Sequence, residues 1–200
     1  MIEPVGINNR HTMGRIFTIS GPSGTGKSTI ISRLLELRPE LVLSVSATTR
    51  APREGETDGV SYYFIPRNLF LEMIDRNEFL EYAEYVGEYY GTPEKPVLEN
   101  LNRGKDVILE IEVQGTKQVI EKYKTESVPQ VVTIFITPPD ILELERRLRN
   151  RGAESEEKLA ARLERSRQEF SEITNYEHVV VNEDLCLAVE KILSIIDMGG

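Results

Sequence analysis

The most constraining feature of the sequence is an eight-residue segment, Gly21-Pro-Ser-Gly-Thr-Gly-Lys-Ser28, which matches the pattern G-x-x-x-x-G-K-[ST] at every fixed position. A short apolar run at 15–20 precedes it, and a helical pattern that ends at Leu37 follows it. A strand, a glycine-rich turn and a helix in this order point backbone N–H groups at phosphate oxygens. The motif predicts that Lys27 reaches the β- and γ-phosphates of a nucleotide and that the Ser28 hydroxyl faces Mg²⁺. An ordinary glycine-rich turn would explain neither Lys27 nor the flanking elements.

Four further apolar runs are continuous rather than alternating, which is typical of strands covered on both faces. They span 41–45, 107–111, 131–136 and 179–181. Helical patterns lie between or after them at 113–122, 141–149 and 185–196, with Asp184 as the expected N-cap of the last helix. This alternation predicts an α/β fold, a three-layer sandwich of the P-loop NTPase type with a parallel central sheet.

Two segments interrupt the alternation. Residues 46–95 carry polar and aromatic residues in short strand-like pieces with one helix near 68–76, and they predict an inserted subdomain. The arginine-rich segment 138–167 predicts two helices joined near Gly152, with Ser155 capping the second. A chain of 200 residues has room for one domain, so the core is expected to comprise about 15–45, 96–137 and 168–197, and residues 1–14 are expected to form a mobile tail.

Composition narrows the class of partner. A net charge of −9 provides no field that would attract nucleic acid or an anionic membrane. No apolar run approaches the ~20 residues that a membrane span needs. One cysteine, Cys186, cannot form an internal disulfide, so a cytoplasmic location is expected. Whether the chain is a monomer or a small homo-oligomer stays open at this point.

Further motifs give the chain a specific resemblance. They are Ser44-Val-Ser-Ala-Thr-Thr-Arg-Ala-Pro-Arg53, Asn77-Glu-Phe-Leu-Glu81, Tyr89-Tyr-Gly-Thr92 and Leu109-Glu-Ile-Glu-Val-Gln-Gly115. Together with the phosphate-binding loop, their order over 15–196 resembles the guanylate kinase family. The resemblance implies transfer of the γ-phosphoryl group of MgATP to GMP, and to dGMP, giving ADP and the nucleoside diphosphate. It also implies that 46–95 is a GMP-binding subdomain and that 138–167 is a helical lid.

The GMP site implied by the resemblance divides into phosphate contacts and base contacts. The phosphate carries about −2 charge and suits planar guanidinium forks and phenolic hydroxyls. The residues assigned to GMP are Arg50, Arg53, Tyr62 and Tyr90 on the phosphate, Glu81, Ser46 and Thr92 on the base, and Glu112 on guanine or ribose. Guanine offers N1–H and the 2-amino group as adjacent donors, and one carboxylate accepts both. Taken singly, these arginines could be solvated, the tyrosines half-buried, and Glu81 an exposed strand residue.

The resemblance also implies ATP contacts and catalytic cations. The ATP contacts are assigned to Gly21, Pro22, Ser23, Gly24, Thr25, Gly26, Lys27, Ser28, Thr29 and Asn182, and the catalytic roles to Lys27, Arg50, Arg147, Arg151 and Arg162. Ser28 and Glu110 are assigned to the cofactor Mg²⁺. Many family members have aspartate at positions 110 and 112, so the extra methylene leaves direct contact or contact through water open at both. The lid arginines could instead pair with nearby glutamates, and Arg146, Arg165 and Arg167 are interpreted as surface charges.

Two other functions compete with this interpretation. Another nucleoside monophosphate kinase would use the same loop and lid, but the segments around Ser46 and Glu81 argue against it. A catalytically silent, phosphopeptide-binding domain of the same fold typically lacks loop or lid residues. The chain retains Lys27, Ser28 and Arg147, so an enzyme is predicted.

Overall fold

The computed structural model describes residues 13–85, 87–125, 129–150 and 156–198. The strands are β1 (Ile16–Ser20), β2 (Val42–Leu43), β3 (Ala47–Thr48), β4 (Tyr63–Phe64), β5 (Phe79–Tyr85), β6 (Glu88–Pro93), β7 (Val107–Glu110), β8 (Val131–Thr137) and β9 (His178–Val181). The helices are α1 (Lys27–Leu37), α2 (Arg67–Asp75), α3 (Glu94–Asn102), α4 (Val113–Tyr123), α5 (Ile141–Asn150), α6 (Glu156–Phe170) and α7 (Leu185–Asp197), with a 3₁₀ turn at Ile173–Asn175.

The central sheet has five strands in the order β2-β7-β1-β8-β9. Every pairing in it is parallel. All five residues of β1 are buried, because helices cover both faces of the sheet, and the sequence at 16–20 is accordingly apolar or small throughout. The parallel order places the carboxyl ends of β1 and β7 side by side, where ligands of such sheets bind.

Alternate residues of β1 contribute to two separate cores. Phe17 and Ile19 pack with buried residues of α1 and α7 on one face of the sheet. Ile16 packs on the other face with residues of α3 and α4, such as Leu101 and Val119. Helices therefore cover both faces, and the predicted three-layer sandwich with a parallel central sheet is confirmed.

A second sheet lies in the segment predicted to be an insertion. Its order is β4-β3-β6-β5, with β5 and β6 antiparallel. Helix α2 covers it with Phe70, which is fully buried and stacks on Phe79 and Tyr89 at ring-centroid distances of 4.4 and 5.3 Å. This aromatic cluster is separate from the two cores of the central sheet.

The segment 138–167, which is predicted to be a lid, contains the starts of both predicted helices, α5 and α6. Leu144 and Leu148 of α5 pack with Leu159 of α6 in a small apolar cluster of their own. The predicted junction at Gly152 and the predicted cap at Ser155 lie outside the described residues, as does Arg151. Within the four described ranges, no helix is long and apolar enough to cross a membrane.

Most predicted elements are confirmed, and Asp184 caps α7 by accepting the Leu187 N–H at 3.0 Å. The predicted end of the mobile tail at residue 14 is wrong. Gly14 is buried and its N–H donates to the Leu101 carbonyl at 2.9 Å, so the end of the predicted tail belongs to the packed chain. Residues 1–12 lie outside the described ranges. Helix α3 was not predicted, although Pro96 occupies its third position, where a missing N–H costs no intrahelical bond.

The aromatic cluster generates a stability prediction. Phe70→Ala should lower the free energy of unfolding by about 3–5 kcal/mol, because it removes a fully buried ring that stacks on two others. Leu71→Ala is the matched control, since Leu71 is next in the same helix but 40% exposed. Urea denaturation of both variants is the measurement, and equal losses would contradict the cluster's role.

Candidate active site

A cleft of about 510 Å³ opens at the carboxyl ends of β1 and β7. The glycine-rich loop, the second sheet and α6 all contribute residues to its lining. The predicted site residues that line it are Gly21, Ser23, Gly24, Gly26, Lys27, Ser28, Ser46, Tyr62, Glu81, Tyr90, Glu110, Glu112 and Arg162. Residues predicted to bind two different nucleotides therefore share one cavity.

Glycines give the loop its shape. Gly21 has φ of +140°, and a Cβ there would lie 2.1 Å from the Ile136 carbonyl oxygen of β8. Gly26, at the N-cap of α1, has φ of +90°, a region that side chains rarely adopt. The close approach to β8 and the left-handed turn both require glycine, and they fix the loop at the start of α1.

Lys27 is the first residue of α1, and its side chain folds back over the loop. The ammonium group donates to the carbonyl oxygens of Gly21 at 2.6 Å and Pro22 at 3.0 Å. These bonds hold a positive charge within the concave side of the loop. The arrangement prepares a cationic group beside backbone N–H donors, which is the chemistry of a phosphate site.

The loop is braced from behind by Asn182, which follows β9. The buried side-chain amide of Asn182 donates to the Thr25 carbonyl oxygen at 2.7 Å. The backbone carbonyl oxygen of Asn182 accepts from the Arg147 guanidinium at 2.9 Å. Arg147 also donates to Glu143 at 2.6 Å. Asn182 and Arg147 thus lie behind the loop rather than in the cleft, and the alternative interpretation of Arg147 as a partner of a nearby glutamate describes this structure.

Ser28 and Glu110 come together at the base of the cleft. The Ser28 hydroxyl donates to Glu110 Oε1 at 2.9 Å, although 82 residues separate them in the chain. Glu110 is the last residue of β7, and Ser28 is the second residue of α1. Two oxygen groups of the kind that Mg²⁺ prefers are therefore adjacent beside the phosphate loop.

The inserted sheet presents a buried carboxylate to the cleft. Glu81 is only 7% exposed and accepts a hydrogen bond from the Thr92 hydroxyl at 2.6 Å. A Cβ at Gly115 would lie 2.6 Å from its other oxygen, so a larger residue at 115 would displace it. Burial raises the pKa of Glu81, and the nearby charge of Glu112 raises it further, whereas the hydrogen bonds from Thr92 lower it. A carboxylate held so deeply that also lines the cleft suits a ligand with paired N–H donors.

Of the two arginines assigned to the acceptor phosphate, Arg50 lies beside the cleft tyrosine Tyr62. Tyr62 and Tyr90 face each other with ring centroids 6.1 Å apart, and the Arg50 guanidinium lies 5.4 Å from the Tyr62 ring. Arg50 forms a two-bond pair with Glu56, each bond 2.8 Å long. These bonds, with a further one from the Arg53 N–H, lower the pKa of Glu56 to about 2. Neither Arg50 nor Arg53 lines the cleft in this structure.

Several predicted site residues do not line the cleft, and one lies outside the described residues. Thr92 is fully buried behind Glu81, and Pro22, Thr25 and Thr29 belong to the loop and α1 without lining the cavity. Arg151 lies outside the described residues, so its predicted role stays a prediction.

The sequence analysis missed a set of cleft residues on α6. Arg165, Ser166 and Glu169 line the cleft with Arg162, although Arg165 was interpreted as a surface charge. Their spacing of three, four and seven residues from Arg162 puts all four on one helix face, which is the signal that could have found them. Burial raises the pKa of Glu169, with a further contribution from Glu112.

Comparisons with known proteins agree on one family. A family model described as guanylate kinase matches residues 13–198. A guanylate kinase of Trichormus variabilis is 48% identical over 179 residues, which cover 90% of this chain and 87% of the relative. One from Desulfitobacterium hafniense is 46% identical over 183 residues, with coverages of 92% and 89%. The crystal structure of guanylate kinase from Anaplasma phagocytophilum superposes with a TM-score of 0.75 at 36% identity, covering 94% of this chain and 87% of that one.

Burial of Glu81 predicts a pH-dependent cost to stability. Because its folded-state pKa lies above the unfolded value, the folded protein binds more protons than the unfolded chain between the two values, and stability falls as pH rises through that window. Glu81→Gln removes this loss. The free energy of unfolding of the variant minus that of the wild type should therefore be larger at about pH 8 than at about pH 4. Denaturant unfolding at both pH values tests it. Glu84→Gln, an exposed position of the same strand, is the control, and an equal gain in the two variants would refute the prediction.

Proposed function

The chain belongs to the guanylate kinase family, and on that premise we propose that the cleft binds ATP over the glycine-rich loop and GMP against the inserted sheet. The chain is an enzyme that transfers the γ-phosphoryl group of ATP to GMP, giving ADP and GDP. The roles of individual residues and the reaction with dGMP are part of the proposal. The cytoplasmic location, the absence of nucleic acid and membrane partners, and the oligomeric state stay predictions.

One observation supports the acceptor assignment above all others. The buried Glu81 carboxylate, already bonded to Thr92, faces the same cavity as Lys27. Guanine presents N1–H and the 2-amino group side by side, and a carboxylate accepts from both. Adenine would turn its N1 lone pair toward Glu81 and leave a buried charge unpaired, which is the kind of mismatch that polar sites reject strongly.

The reaction needs no general base. The acceptor oxygen belongs to a phosphate whose second pKa is near 6, so GMP arrives as a ready nucleophile at neutral pH. Catalysis then consists of aligning donor and acceptor and neutralising charge on the transferred group. Lys27 is proposed to exchange the carbonyls of Gly21 and Pro22 for phosphate oxygens of ATP, with the loop N–H groups keeping the phosphates in place.

The residues at the base of the cleft fit magnesium. Ser28 and Glu110 supply two hard oxygen ligands that already lie 2.9 Å apart. Among the described residues, no group of three or more acidic, histidine or cysteine side chains could hold a metal alone. This fits an ion bound mainly through substrate phosphates and water, as Mg²⁺ usually is. When bound, Mg²⁺ would neutralise charge on the β- and γ-phosphates.

Arg50 is proposed to exchange Glu56 for the GMP phosphate. Its Nε is buried and has no hydrogen-bond partner among the described residues, so one donor of the fork is unsatisfied. The Glu56 pair holds the planar guanidinium beside Tyr62 until the acceptor arrives. Arg147 would likewise need to leave Glu143 to reach ATP, and Arg162 lines the cleft from α6. Lid closure is expected to keep water from the acceptor position.

The acceptor is tested by comparing nucleotides on two proteins. The wild type should phosphorylate GMP, and dGMP, far better than AMP or UMP with ATP as donor. Glu81→Gln should lower kcat/KM for GMP by roughly 10- to 200-fold, the worth of one charged hydrogen bond, and should improve AMP much less. Glu84→Gln is the matched control. A wild type that prefers AMP or UMP would sink the proposed function, and a change within about twofold in Glu81→Gln would remove Glu81 as the guanine reader.

The donor side has its own test. Lys27→Ala should lower kcat by at least ~10²-fold at saturating nucleotide, because the ammonium stabilises charge that develops during transfer. Lys191→Ala, an exposed position of α7, is the control for loss of a surface lysine. Steady-state kinetics with circular dichroism as the check on folding gives the answer, and near-normal turnover of Lys27→Ala would take the loop out of the mechanism.

A further inference from the structure

Helix α6 turns one charged face into the cleft and another toward solvent. Arg165 and Glu169 line the cavity with Arg162. Arg167, only two residues from Arg165, is 61% exposed and pairs with Glu164 on the helix surface at 3.2 Å. The two arginines lie two positions apart on the same helix, but only Arg165 lines the cavity.

Arg165 joins three elements at the edge of the cleft. Its Nη2 donates to Glu112 Oε2 at 2.7 Å, and its Nε donates to Glu169 Oε1 at 3.3 Å. The guanidinium carbon lies 4.7 Å from the centre of the Tyr85 ring at the end of β5. Arg165 therefore links α6 to the start of α4 and to the inserted sheet, and it has both a carboxylate and an aromatic face as partners.

Glu112 depends on this contact for its orientation. It is the N-cap residue of α4, but its side chain makes no capping hydrogen bond. The carboxylate is 55% exposed, and among the described residues Arg165 is its hydrogen-bond donor. Without Arg165, a glutamate with three side-chain torsions at a helix start would sample many directions, and holding one of them would cost side-chain entropy.

Arg165 also offsets negative charge from the carboxylates at the same end of the cleft. Glu81, Glu112 and Glu169 all line the cavity there. The charge of Glu112 raises the pKa of both Glu81 and Glu169, so the three carboxylates act on one another. Arg165 lowers the pKa of Glu169 and bonds to Glu112. An acceptor dianion that enters this acidic region gains from a cation that already balances two of the carboxylates.

We propose that Arg165 is a positioning residue of the acceptor site, which holds the Glu112 carboxylate toward bound GMP and so strengthens GMP binding without touching the transferred group. The inference rests on the proposed function in that it takes GMP as the acceptor. It goes beyond the lid arginines implied by the family resemblance, because Arg165 acts on the acceptor through Glu112 rather than on ATP.

The test uses the full-length enzyme and direct GMP binding. Arg165→Gln should raise the Kd for GMP, measured by calorimetry, by about fivefold, the upper range for a partly exposed ion pair. The KM for GMP should rise in parallel, while kcat at saturation and the KM for ATP stay within about twofold. Arg165→Lys keeps the charge but loses the planar contact with Tyr85, and it should fall between the wild type and Arg165→Gln. Arg167→Gln is the matched control and should bind GMP as the wild type does.

A double variant separates positioning from general packing. If Arg165 acts through Glu112, Arg165→Gln should cost little in a Glu112→Gln background, so the double variant should bind GMP within about twofold of Glu112→Gln alone. Fully additive losses, equal weakening of ATP and GMP, or an Arg165→Lys protein no better than Arg165→Gln would each overturn the inference. A wild type that binds GMP no better than AMP refutes the proposed function instead, whereas GMP-selective wild type with an unaffected Arg165→Gln refutes only the inference.

Discussion

The left-handed turns of the glycine-rich loop are the constraint around which the rest of the structure is arranged. Gly21 passes so close to β8 that its missing Cβ would meet the Ile136 carbonyl at 2.1 Å. Asn182 holds the loop from the other side through Thr25. Because the loop contacts both β8 and the residue that follows β9, its shape depends on three neighbouring parallel strands, and the burial of β1 between two cores keeps those strands in register.

The sequence could predict the layers because burial on both faces leaves a direct trace in the residues. A run such as Val131–Ile136 has no polar alternation, so it had to be a strand covered by helices on each side. Helix α3 left no such trace, since Pro96 near its start and a half-polar composition resemble a connecting segment. The position of the glycine-rich loop between a strand and a helix was predictable because its residues are contiguous, and so was the position of Lys27 and Ser28 at the start of α1.

Residues that depend on a distant partner could not be predicted in the same way. A helical pattern for α6 shows that Arg162, Arg165 and Glu169 share a face, but it does not show that this face, rather than the one with Arg167, lines the cleft. Glu56 was missed for a related reason: its only signal is its pairing with Arg50, which depends on how the loop at 50–56 folds back on itself. The direction of a side chain relative to other elements is tertiary information.

Several cationic side chains in and beside the cleft already have hydrogen-bond partners within the protein. Without nucleotide, Lys27 is bonded to loop carbonyls, Arg50 to Glu56 and Arg147 to Glu143. In the proposed mechanism, phosphate binding at these cations replaces existing hydrogen bonds, so the net gain would be smaller than that of a new ion pair. Glu81 differs, because it is buried, its pKa is raised by burial, and it lines the cleft while accepting a hydrogen bond from the Thr92 hydroxyl. On the proposed assignments, the cations would accept many phosphate compounds at modest gain, whereas the buried Glu81 carboxylate would favour a ligand with adjacent N–H donors. Selectivity for guanine would then come from a group whose burial destabilises the empty protein, and the arginines would act on the phosphate.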